Sequence, residues 1–144
     1  EWSVGGVGEL YTGNTNWTAQ LGYGDTEGEI RVIHIDGQAR HFLSPNFSIQ
    51  GNIGYGDVEF DAGGSDDYWS GGIGGEFQFT GAPISIHAGW EHYDFAGGKA
   101  DAVGIGARWN FGGGTLLDRS RSGASFQRAT PTFIDLTLGG VTPR

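Results

Sequence analysis

Residues 103–111 read Val-Gly-Ile-Gly-Ala-Arg-Trp-Asn-Phe. In an extended chain successive side chains point to opposite faces. Val103, Ile105, Ala107, Trp109 and Phe111 therefore share one face, and Gly104, Gly106, Arg108 and Asn110 share the other. One side is apolar and ends in two aromatic rings. The other is small or polar.

The same alternation runs outward from this stretch through the rest of the chain. Residues 1–11 set Trp2, Val4, Gly6, Gly8 and Leu10 against Ser3, Gly5, Val7 and Glu9. Residues 17–25 set Trp17, Ala19, Leu21 and Tyr23 against Thr18, Gln20, Gly22 and Gly24. Residues 31–43 oppose Ile33, Ile35, Gly37 and Ala39 to His34, Asp36, Gln38 and Arg40. Residues 47–57, 68–80 and 84–95 repeat the pattern, with Tyr55, Trp69, Phe77 and Trp90 on the apolar side. On the polar side they carry Gln50, Glu76, His87 and Glu91. Seven strands result, each near the roughly 9–11 residues that cross a bilayer as tilted β-structure. All five tryptophans fall on the apolar face.

Composition agrees with strands. The chain has 144 residues, within the range of one domain, with 29 glycines, 9 Phe, 5 Tyr and 5 Trp but only 4 prolines. Cysteine is absent, which excludes disulfides and thiolate metal sites and permits export to the cell envelope. No apolar run approaches the roughly 20 residues of a spanning helix, which excludes a helical membrane protein and says nothing of a barrel. A chain that starts at Glu1 without Met or a signal peptide reads as a processed or trimmed product. The net charge is −9, and ten of the seventeen acids fall in or beside three connecting segments. Four of the eight basic residues lie in the last quarter of the chain. No basic stripe covers the body, so nucleic-acid binding is disfavoured.

Short turns at 13–16, 44–46 and 81–83 alternate with longer acidic connections. Gly22-Tyr23-Gly24-Asp25 recurs as Gly54-Tyr55-Gly56-Asp57, placing Tyr just below the acidic end. Short turns at one end, long loops at the other and an aromatic girdle mark outer-membrane barrels. The order Gly106, two residues, Trp109, one residue, Phe111 resembles the C-terminal targeting strand of that family. Gly104 stands where the family carries a polar residue. With this motif, residues 1–111 resemble the small eight-stranded, porin-like outer-membrane β-barrels. The resemblance implies an all-β, antiparallel up-and-down transmembrane barrel in the bacterial outer membrane. It implies lipid or lipopolysaccharide as a partner and a structural, adhesion or binding role.

Two assignments of the faces compete. In a water-soluble barrel or sandwich the Trp/Ile face would be the core. A soluble surface carries many charges of both signs, whereas this chain has one lysine, Lys99. The membrane assignment is therefore preferred, with Trp2, Trp17, Tyr23, Tyr55, Trp69, Trp90, Trp109 and Phe111 toward lipid. The interior would then hold His34, Asp36, Gln38, Arg40, Glu76, His87, Glu91 and Arg108, paired because buried charges need partners. An eight-stranded barrel is just wide enough to fill with side chains, so an open pore is not favoured. A non-catalytic scaffold or assembly protein is the leading functional reading; a narrow pore for ions or small solutes is the alternative, and a stacking fibre subunit a third.

Strand parity leaves one ascending strand missing. It either precedes Glu1 or is residues 132–138 (TFIDLTL); the upstream strand is preferred because TFIDLTL is short and follows Pro131. Residues 112–144 depart from the family pattern and read as a periplasmic extension that docks on a partner, a neighbouring copy or the periplasmic rim. Phe126, Phe133 and Leu136 are its candidate anchors. Catalysis is disfavoured: His92 and Asp94 lie beside Trp90 on the apolar face, but no serine shares that stretch. Gly72-Ile73-Gly74-Gly75 precedes no helix and is not a dinucleotide loop. The acidic connections lack calcium-loop spacing, so no metal and no cofactor is expected.

Overall fold

The computed structural model describes residues 2–26, 30–60, 64–111 and 113–122. Seven strands form one sheet: β1 (Trp2–Thr12), β2 (Thr15–Thr26), β3 (Ile30–Ser44), β4 (Phe47–Phe60), β5 (Ser65–Gln78), β6 (Ile84–Phe95) and β7 (Gly98–Trp109). Their spatial order is their sequence order, and every neighbouring pair is antiparallel. This is the up-and-down arrangement expected from the alternation. Among the described residues β1 and β7 do not pair with each other, so the sheet has two open edges where eight closed strands were expected.

The connections differ from the sequence reading. At one end, which we call the turn end, β1–β2 and β3–β4 are joined by two residues each. The left-handed backbone of Gly13 (φ 56°) allows the first of these hairpins. At the other end the strands run on through the segments read as long acidic loops. β6 and β7 are separated there by only Ala96 and Gly97. The cause is cross-strand charge pairing. Arg31 faces Asp25 on one side and Glu59 on the other, and Lys99 faces Asp94 with a 2.8 Å ion pair. Residues that look like a solvated loop thus carry a ladder instead. β7 correspondingly starts at Gly98 and stops at Trp109, leaving Phe111 beyond the strand.

The described part of the extension, read from the sequence only as a docking segment, carries secondary structure. Gly113 and Gly114, both at positive φ, turn the chain into a short helix, α1 (Leu116–Arg121). Thr115 caps it: its hydroxyl accepts from the Asp118 amide, and its own amide donates to the Asp118 carboxylate at 3.0 Å. A one-and-a-half-turn helix is unstable alone, so its packing must hold it. Phe126, Phe133 and Leu136 lie outside the described residues.

The residues shielded from solvent lie on one face of the sheet, and no second sheet covers it among the described residues. Only curling hides one face of a single sheet. Ser120 of α1 bonds Asn16 on β2 at 2.6 Å, and its neighbour Arg119 bonds Gln78 on β5, so one short helix touches both strands on the shielded face. The sheet curls around its polar side.

Candidate functional site

Burial is inverted relative to a water-soluble protein. Arg40 is 7% exposed, Glu76 4% and Ser85 0%, whereas Trp17 is 50% and Trp69 54% exposed. Trp90, Trp109 and Phe111 are exposed as well, and Tyr23 and Tyr55 are partly covered. Trp2 sits in β1, opposite Asp25. Outward aromatics gather near both ends. Tyr55 and Trp69 pack at a tilt with ring centroids 4.9 Å apart toward the acidic end, and Phe77 lies between Phe47 and Phe79 near the turn end.

The enclosed face holds two clusters near the turn end. On β3 and β4, Arg40 donates through Nε and Nη2 to Gln50 Oε1 at 3.1 and 2.7 Å, and Gln38 donates to the same oxygen. On β5, β6 and β7, Glu76 accepts from the Ser85 hydroxyl at 2.6 Å and from Arg108 Nη1 at 3.3 Å. Asn110 completes the set by donating to Ser85 at 3.2 Å. Register explains this reach. Ser85 stands directly opposite Arg108, so Glu76 on the adjoining strand bridges diagonally over a small residue. The Glu76 carboxylate is thus buried with its ion partner and a hydroxyl donor, the condition under which a buried charge is tolerated.

Toward the acidic end the face changes character. Tyr93 donates to Glu91 at 2.7 Å, and its ring stacks on Phe95. His34 lies 3.9 Å from Asp36. His87 lies over Gly106 and His34 over Gly22, each ring occupying the space that a methyl group on the glycine would need.

α1 closes the turn end over this face. Leu117 donates its amide to the Pro45 carbonyl at 3.1 Å, Gln78 donates to the Gly114 carbonyl at 3.1 Å, and Arg121 bonds the Gly13 carbonyl. Leu116 of the helix is buried, as is Phe42 near the turn end of β3. Strand parity already puts Gln50 and Asn110 on the polar side, and the same rule puts Ser85 and Tyr93 there. Arg119, which joins Gln78, carried no such signal, because six helical residues are too few for a period.

On the outward face His92 pairs with Asp101 at 2.9 Å and stacks on Trp90, while Asp94 pairs with Lys99. Both are cross-strand pairs near the acidic end. No group of metal-binding side chains occurs among the described residues.

No family model matches the chain, and no curated protein matches it. The fold resembles part of an outer membrane protein. That protein is the loop L8 deletion mutant of OmpT from Vibrio cholerae, similar with a TM-score of 0.65 at 20% sequence identity. The match covers 74% of this chain and 37% of that one, so this chain spans little more than a third of its length. The likeness is one of antiparallel up-and-down sheet architecture.

Proposed function

We propose that this chain is an integral outer-membrane β-barrel protein with a non-catalytic scaffold or assembly role. The reading rests on one observation: among the described residues a charged, hydrogen-bonded face is enclosed while twenty-two large hydrophobic residues stand exposed, against four buried ones. Soluble monomers rarely expose a contiguous apolar patch beyond about 300–600 Å². Hydrocarbon is the solvent that makes such a surface stable, and the aromatic groups near both ends suit the two membrane interfaces. The likeness to an outer membrane protein supports the same location. In this orientation the turn end and α1 are periplasmic, the acidic ends of the strands meet the outside, and lipid or lipopolysaccharide is the surrounding partner.

A scaffold is favoured over a narrow pore because Arg40 with Gln50, and Glu76 with Arg108, fill the enclosed face and α1 lies over its turn end. The test is conductance of the purified chain in planar bilayers. The scaffold reading requires no steady ion current after insertion. A stable single-channel step would replace it with the pore.

A further inference from the structure

One row of the enclosed face crosses four strands in register. Asp36 on β3 stands opposite Gly54 on β4, Gly54 opposite Ser70 on β5, and Ser70 opposite Tyr93 on β6. A methyl group on Gly54 would meet both Asp36 Oδ1 and Ser70 Oγ, so the carboxylate and the hydroxyl lean toward each other over a glycine floor. On the turn-end side of this row, Glu91 lies over Gly72 and accepts from the Tyr93 hydroxyl. On the acidic-end side three rings gather. Tyr68 and Tyr93 each pack on Phe95, with centroids 5.8 and 6.0 Å apart.

Hydrogen bonding and charge both leave room for a ligand here. Ser70 is only 5% exposed, yet its Oγ has no hydrogen-bond partner among the described residues. A buried hydroxyl left in that state is costly unless something else bonds it. Asp36 and Glu91 bring two carboxylates to the same neighbourhood. By strand parity no lysine or arginine of the described residues stands on this face between Arg40 and the acidic end; His34, 3.9 Å from Asp36, is the one imidazole there. The interior arginines are committed elsewhere, Arg40 to Gln50 and Arg108 to Glu76. A negative charge enclosed away from water attracts a cation more strongly than the same charge at a solvated surface. Asp66 and Asp67, exposed at the acidic end, add a field that draws cations inward.

The kinds of groups present select the cation. Among the described residues no three carboxylate or imidazole side chains converge as a metal ion requires. A charged N–H group, by contrast, can donate to a carboxylate and a hydroxyl together while its carbon flank lies against ring faces. We propose that this half of the enclosed face binds a small organic ammonium ion. Asp36 and Glu91 supply the counter-charge, Ser70 Oγ accepts an N–H, and the rings of Tyr68, Tyr93 and Phe95 form the wall. The site goes beyond the scaffold reading and does not depend on it.

Isothermal titration calorimetry of the full-length protein in non-ionic detergent tests the site, with the heat of detergent alone subtracted. The probe is phenethylammonium, which joins a ring to a primary ammonium, and 3-phenylpropionate is its anionic counterpart. Saturable binding of phenethylammonium is expected, with none of 3-phenylpropionate. Asp36→Asn should weaken it about ten- to hundredfold and Ser70→Ala about two- to tenfold. Asp101→Asn, which removes an outward carboxylate paired with His92, should leave it unchanged. Ser70→Ala keeps every charge, so it carries the test should Asp36→Asn fail to fold. Absence of saturable binding overturns the proposal, as does equal binding of the anion, which would mean partition into an apolar surface. An equal loss in Asp101→Asn would mean diffuse attraction to a negative protein and overturns it as well. So does displacement of the probe by equimolar magnesium chloride, which would make this a metal site. Planar-bilayer conductance reads the scaffold separately, so a failure here leaves that reading standing.

Discussion

A methyl group placed on Gly106 would lie 2.6 Å from His87 Nε2, and one on Gly72 would lie 2.8 Å from both Asn52 Oδ1 and Glu91 Cγ. Gly22, Gly54 and Gly56 are similarly overlain by His34, by Asp36 with Ser70, and by Tyr68. On the enclosed face, then, a large polar side chain lies over a glycine of the neighbouring strand, which is how a narrow interior accommodates rings and charges. Outward glycines such as Gly37 have open space. Gly106→Val is expected to destabilise the protein by about 1–3 kcal/mol through overpacking, with Gly37→Val near neutral; denaturant unfolding in detergent would compare them. Glu76→Ala leaves Ser85 and Arg108 without their acceptor. Because Arg108 is partly solvated (39% exposed), a loss of about 1–3 kcal/mol is expected in the same assay, with Glu76→Gln retaining part of the stability. Parity alone sorted these residues onto faces. It could not say that Arg40 would bond Gln50, or that Glu91 would take its proton donor from Tyr93, because those choices depend on register and curvature.

At the scale of elements, strand existence was legible and strand ends were not. Alternation of Trp, Ile and Phe with Gly, Ser and Gln is a local signal that needs no partner. The ends needed one: Lys99 and Asp101 read as a solvated connection until Lys99 is set opposite Asp94, and Asp101 opposite His92, across a two-residue hairpin. α1 was not legible for a different reason, since its stability comes from docking on Pro45, Gln78, Asn16 and Gly13. Its cap is pH-sensitive. Hydrogen bonds from the Thr115 backbone and hydroxyl hold the Asp118 carboxyl below the usual aspartate range. A depressed carboxylate contributes stability above its unfolded value of about 3.9 and loses it as pH falls through the folded one. Hydrogen exchange at the amides of Asp118 and Arg119 should therefore show protection that persists at neutral pH and falls off below about pH 4. Unchanged protection in acid would mean that the cap does not hold the helix.

For the molecule as a whole, the two sides of the sheet could be told apart before any coordinates, because a chain with one lysine cannot clothe a soluble surface in mixed charge. Closure was not legible. Alternation says nothing of which strand meets which edge, and among the described residues β1 and β7 have no partner on their outer sides. Sidedness is the claim on which the rest depends, and tryptophan emission tests it directly. In vesicles containing lipids brominated along their acyl chains, the tryptophans on the outward face should be strongly quenched, while water-soluble iodide leaves them largely untouched. Emission that iodide quenches and bromine does not would place the indoles in water and contradict the account.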